Sequence, residues 1–301
     1  MNVRGIGIVF LSVFLSACGS TSNVDDKNKD IVNKTSAKPT KEAMHLPIAS
    51  ETSVFIDELI TLDYSNIDQG YIMVKCNTEA HQRIKIQITC NDTTYTYDLN
   101  HHDAYEVYPI TLGDGSYTIK WLENVEGTRY ALIGSLDVEV TLQDQLLPFL
   151  FPNQYIDYNQ QTKAVDKAFE LIQDKQTELE RVKAIYDYVT SNVRYDWDKV
   201  EAVQGKFVLP IIDETFTSNK GICFDYAALM STMLRCLNIP TKLITGMVTD
   251  GYHAWVEVYI DNIGWITPHV YFDANTWTAM DPTFDAMDRG YEGNYESQNQ
   301  Y

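Results

Sequence analysis

The sequence predicts an α+β chain: an antiparallel β-sandwich in the N-terminal half, then a domain in which a cysteine-bearing helix packs on an antiparallel sheet. Three observations carry this. Between about Val54 and Leu142, short alternating segments are separated by turn formers. From Thr162 the apolar residues recur at the three- and four-residue spacings of a helix face. The stretch GYHAWVEVYI, residues 251–260, then returns to a period of two. With 301 residues, 45% of them hydrophobic, the chain has apolar material for two cores, expected over residues 51–145 and 146–301.

The chain opens with MNVRGIGIVFLSVFLSACGS: one basic residue, about a dozen apolar ones, and small residues at the end, the pattern of a secretory signal over residues 1–17. The apolar run is shorter than the roughly 20 residues a membrane span requires. LSAC resembles the end of a bacterial lipoprotein signal peptide. That resemblance implies cleavage before Cys18, lipid on its sulfur, and a protein anchored to the outer face of the cell membrane. Ser20 to Thr40 is polar and cannot bury a core, so residues 18–50 are expected to be a flexible tether.

The segments YIMVKC, RIKIQITC, TYTYDL, YEVYPITL, SYTIKWL and LDVEVTL supply the sandwich, with Gly113-Asp114-Gly115 and Glu126-Gly127 as turns. His101 and His102 are adjacent and would point to opposite faces of a strand, which suits a surface loop better than a metal site. If Cys76 and Cys90 lie on hairpin partners turning near residues 78–82, they are too far apart to bridge. A disulfide therefore requires that they not be hairpin partners.

The apolar stretch LLPFLFPNQYIDYNQQ, residues 146–161, reads as a docked junction. A helix follows over about 162–172. Thr177 and Glu180 then form a capping box that starts a second helix, with Leu179, Val182, Ile185, Tyr186 and Val189 as its stripe. Residues 199–218 lack periodicity and hold Gly205 and Pro210, so a loop near the cleft is expected. Residues 291–301 are polar and read as a frayed tail.

The chemistry centres on GICFDYAALMSTMLRCLNIP, residues 221–240. Ala227, Met230, Leu234 and Leu237 mark one helical face, and Asn238 with Pro240 marks the stop. Cys223 falls in the first turn, where the positive end of the helix favours thiolate. A buried, inert thiol is the alternative, so the partners matter. His253 opens a strand on the same face as Trp255, Glu257 and Tyr259. NTWTAMDPTF, residues 275–284, reads as a strand carrying Trp277, Ala279 and Asp281, ended by Pro282. A nucleophilic thiol needs a base, and the base needs a third group to fix its tautomer. The Cys223 N–H is one oxyanion donor and a second is open. Tyr195, Trp197 and Trp255 are candidates to line the site. Cys236 lies on nearly the opposite side of the helix and reads as structural.

Together, the cysteine helix, YHAWVEVYI and W-x-x-MDPTF resemble the transglutaminase-like superfamily, with its papain-like core, over roughly Thr162 to Asp285. The resemblance implies that Cys223 is the nucleophile, His253 the base and Asp281 the group that orients the imidazole. The long insertion NIGWITPHVYFDANT makes Asp273 a rival for the third place. The resemblance also implies acyl transfer at an amide: peptide hydrolysis, deamidation or protein cross-linking. The expectation is a lipid-anchored cysteine hydrolase acting on peptide or glutamine amides, with a protein or cell-wall peptide as substrate and no cofactor. A cross-linking transglutaminase and a non-catalytic envelope scaffold are the alternatives, as is a sandwich that binds a wall polymer or host protein. Net charge is −19, and −20 once Arg4 leaves with the signal, which makes nucleic acid a poor partner. No phosphate loop, dinucleotide fingerprint or metal-spaced Cys/His cluster is present in the sequence.

Overall fold

The computed structural model describes residues 35–78, 83–100, 104–249, 251–261, 263–266, 281–287 and 293–301. Cys18, His101, His102, Asp273, Trp277 and Ala279 lie outside them. The first eight strands are β1 (Val54–Ile56), β2 (Ile60–Asp63), β3 (Tyr71–Cys76), β4 (Ile84–Cys90), β5 (Thr93–Leu99), β6 (Glu106–Pro109), β7 (Gly115–Glu126) and β8 (Arg129–Val140). They form two antiparallel four-stranded sheets, ordered β1-β2-β3-β6 and β5-β4-β7-β8. In β4, buried Ile84, Ile86, Ile88 and Cys90 alternate with half-exposed Lys85, Gln87 and Thr89, so one face meets the core and the other meets water. Trp121 fills the centre, its indole N–H donating to Asp57 at 2.8 Å. Gly134 sits opposite it, where a Cβ would fall 2.2 Å from the ring.

The chain crosses from one sheet to the other between β3 and β4, so Cys76 and Cys90 are not hairpin partners, yet both remain free, buried thiols. The hairpin premise fails here, and no bridge forms.

The polar N-terminal segment is not a tether throughout. From Thr35 onward it is docked: Ser36 N–H donates to the Gln176 carbonyl at 3.1 Å, and the Arg181 guanidinium donates to the carbonyls of Ala37 at 2.8 Å and Ser36 at 2.9 Å. Arg181 is buried, and passing backbone accepts from both terminal nitrogens of its guanidinium. The junction at 146–161 is docked as the sequence predicts, burying Phe149, Leu150, Phe151, Tyr155, Ile156 and Tyr158.

Next come α1 (Lys163–Leu171), α2 (Glu178–Asn192), β9 (Arg194–Tyr195), α3 (Trp197–Ala202), α4 (Ile212–Ser218), β10 (Lys220–Gly221) and α5 (Cys223–Arg235). The chain continues through β11 (Thr241–Val248), β12 (Gly251–Ile260), β13 (Gly264–Ile266), α6 (Pro282–Ala286) and β14 (Glu296–Gln300). The capping box that starts α2 is present: Thr177 Oγ1 accepts from Glu180 N–H at 3.1 Å and Glu180 Oε2 from Thr177 N–H at 2.9 Å. The wholly buried stretch Tyr226–Arg235 of α5 packs on the antiparallel sheet β13-β12-β11-β14. Asn238, with φ of 58°, makes the left-handed exit expected after this helix.

Two expectations change. Residues 199–218 are not a loop throughout, because α3 and α4 occupy both ends. Asp196 caps α3 by accepting from Lys199 N–H at 3.0 Å, and helices this short give too few turns for a periodic signal. Nor does the C-terminal segment fray over its described part. β14 pairs with β11, and Tyr301 and Leu243 exchange backbone hydrogen bonds at 2.8 and 3.0 Å. The buried guanidinium of Arg235 joins these parts, donating to the carbonyls of Phe151 at 2.5 Å, Thr241 at 2.7 Å and Tyr301 at 2.6 Å. A polar sequence such as ESQNQ hides a strand held by backbone pairing.

Candidate active site

Cys223 is the first residue of α5, and the local sequence fixes that start. The carboxylate of Asp225, in the first turn, accepts from Ile222 N–H at 2.8 Å and from Lys199 Nζ at 2.8 Å. Asp225 is buried against Gly221, where a Cβ would fall 2.6 Å from that of Asp225, so the glycine allows the loop to close on the helix. The half-buried thiol thus sits at the positive end of a 13-residue helix, among first-turn N–H groups that lack intrahelical acceptors.

His253 stands near the start of β12, opposite Gly246 of β11. The residue is 5% exposed. Nε2 meets Asp281 Oδ2 at 2.7 Å, which leaves Nδ1 as the ring nitrogen available to the neighbouring Cys223. Phe284 lies on the imidazole with ring centroids 4.7 Å apart, and Trp255 stacks at 6.3 Å. Burial disfavours the imidazolium, but the hydrogen bonds and charges of Asp281 and Cys223 outweigh it and push His253 up to about 10.

Asp281 does not end a described strand. It is the N-cap of α6, with Pro282 as the first helical residue, a position where the missing N–H costs nothing. Oδ1 accepts from Thr283 N–H at 3.0 Å and Phe284 N–H at 3.2 Å, and Oδ2 accepts from His253 and, at 2.9 Å, from the Tyr295 hydroxyl. With 2% exposure, every contact of this carboxylate is directional.

The three candidate lining residues separate. Tyr195, half-buried in β9, lies beside Cys223: burial first, then the charges of Cys223 and Asp225, push its phenol up to about 12. Trp197 opens α3, is 59% exposed and meets Tyr195 edge-on at 4.7 Å. Trp255 is buried beneath His253 and packs on Tyr295 at 5.0 Å, so it supports the imidazole from behind. Cys236 is buried, and burial pushes its thiol well up. Sequence reasoning missed Asp225, Lys199, Phe284 and Tyr295. Asp225 had a signal, an acid three residues after the helix N-cap. Tyr295 had none, because its place depends on the pairing of β14.

A cysteine at a helix start, a histidine on the sheet beneath it and an aspartate on the histidine's far nitrogen define a cysteine–histidine–aspartate site on an α+β fold. Residues 165–282 match the family model of the transglutaminase-like superfamily, and this stretch is a transglutaminase-like domain. The uncharacterized protein YebA of Bacillus subtilis is 28% identical over 125 residues, covering 33% of this chain. The UPF0252 protein MJ1282 of Methanocaldococcus jannaschii is 34% identical over 92 residues, covering 27% of it. The chain spans only 16% and 26% of these relatives' own lengths. A solved structure of a candidate cysteine protease from Cytophaga hutchinsonii aligns with 19% identity and a TM-score of 0.36, covering 77% of this chain and 91% of that one.

Proposed function

We propose that this protein is a cysteine hydrolase that cleaves peptide or glutamine side-chain amides through Cys223, His253 and Asp281. The observation that carries the reading is the imidazole fixed by Asp281 at 2.7 Å with Cys223 as its neighbour at the start of α5. The Cys223 thiolate attacks the amide carbonyl carbon, and the carbonyl electrons move to oxygen. The N–H of Cys223 is placed to donate to that oxyanion. As the C–N bond breaks, the imidazolium gives its proton to the departing nitrogen, leaving a thioester and neutral His253. Water then attacks the thioester, His253 takes its proton, and the acid product leaves with the thiolate restored. Asp281 holds the second nitrogen of the ring throughout, which keeps that nitrogen protonated.

The same proposal places the protein at the outer face of the cell membrane through lipid on Cys18, within reach of envelope peptides. The test is a glutamine-containing protein offered with and without a labelled primary amine, with ammonia, new peptide termini and bound amine measured together. Ammonia or new termini in excess of bound amine support hydrolysis. Bound amine in excess identifies a cross-linking enzyme instead, and none of the three products across varied substrates points to a binding module.

A further inference from the structure

The Asp281 oxygen that accepts from His253 also accepts from Tyr295, which the reaction above does not use. The carboxylate cannot turn to relieve the crowding, because its other oxygen is fixed by the N–H groups of Thr283 and Phe284. Tyr295 is itself held in place. Its ring packs edge-on against Trp255, and the next residues enter β14, where Glu296 and Ser297 pair with Met247 and Gly246. Gly246 admits that strand: any Cβ there would fall 2.0 Å from the Glu296 carbonyl oxygen.

We infer that Tyr295 is a positioning residue of the site: its hydroxyl draws charge from the Asp281 oxygen that faces His253, so that the imidazolium stays acidic enough to give up its proton. The inference rests on His253 serving as the acid and base proposed above. A carboxylate oxygen shared by two donors is a weaker acceptor for each than one serving a single donor. Without the phenol, His253 would face the full charge of Oδ2, the imidazolium would be held more tightly, and proton delivery to the leaving nitrogen would slow. Among the described residues, the other titratable groups that act on this cluster are Cys223 from α5, Asp285 from α6 and Tyr186 from α2, whose hydroxyl donates to Asp285. All of them remain in a Tyr295→Phe variant, so that substitution isolates one hydroxyl.

The test is nitrogen-15 NMR of the histidines in the full chain, wild type against Tyr295→Phe, with the His253 signal identified by its loss in His253→Ala. The expected result is a deprotonation midpoint about 0.5 to 1 pH unit more alkaline in Tyr295→Phe, the effect of one hydrogen bond. At pH 7 the Nε2 proton is expected to move to lower field. A Gly246→Ala variant, which pushes β14 away while keeping the phenol in the chain, is expected to shift the midpoint in the same direction. An unchanged or more acidic midpoint in Tyr295→Phe would overturn the inference and leave Tyr295 a packing residue. Because the readout is the imidazole itself, a protein without hydrolase activity would still answer the question.

Discussion

Replacing Asp281 with asparagine separates the charge of this residue from its architectural part. Asparagine caps helices about as well as aspartate, and its carbonyl oxygen can keep the Thr283 and Phe284 N–H groups, so α6 is expected to survive. The second oxygen becomes an amide NH2 facing two donors, His253 Nε2–H and the Tyr295 hydroxyl. The imidazole escapes that conflict only by moving its proton to Nδ1, the nitrogen toward Cys223, where it can no longer take the thiol proton. The rise of His253 from 6.5 to about 10 corresponds, at ~1.36 kcal/mol per pH unit, to roughly 5 kcal/mol, set by Asp281 and Cys223 against burial. A half share for Asp281 is a change on the order of 100-fold in the imidazole's affinity for its proton. Triad turnover is expected to fall further, by about 10^3 to 10^4. The assay is the rate at which iodoacetamide alkylates Cys223 at pH 7, read by mass spectrometry beside a thermal melt. Asp281→Asn should slow alkylation about 100-fold, with stability within about 1 kcal/mol of wild type. Alkylation within threefold of wild type, at unchanged stability, would refute the reasoning.

Other perturbations follow from the same contacts. A folded-state value raised above the ordinary 6.5 means that His253 stabilises the fold fully below about pH 6.5 and loses that contribution as pH rises through about 10. The stability gap between wild type and His253→Gln in urea should therefore be widest at pH 6 and narrow by pH 10, and a gap that widens would contradict the ion pair. Lys199→Met leaves the buried Asp225 carboxylate with the Ile222 N–H but no cation, and the expected loss is about 1 to 3 kcal/mol in urea unfolding, discounted because the lysine is partly solvated. Unchanged stability would show that the helix start does not depend on that pair. For the proposed anchor, full-length protein should partition into the detergent phase, and Cys18→Ser should move it to the aqueous phase or leave it unprocessed; identical partitioning would remove lipidation from the account.

What was legible in the sequence followed from local rules. The cysteine helix and its stop at Asn238, the capping box at Thr177 and the alternation of β12 each declare themselves within a few residues, and the structure places them as read. Where the reading failed, the cause was pairing with distant backbone. Residues 35–37 look like tether until Arg181 supplies donors, and ESQNQ looks like a frayed end until β11 supplies a partner. The candidate site divides along the same line. Cys223, His253 and Asp281 carry recognisable local patterns, and the structure brings all three together. Tyr295 reaches Asp281 only because Gly246, some fifty residues earlier, lets β14 approach, and no local pattern records that.

The central claim is that Cys223 carries the acyl group, and the direct measurement is the mass of the full-length protein after brief reaction with p-nitrophenyl acetate, followed by peptide mapping. The expected result is one acetyl group on Cys223 that water then removes, no such adduct in Cys223→Ala, and little in His253→Ala. Acetyl found instead on Cys236 or a surface lysine, or acylation unchanged in Cys223→Ala, would contradict the account.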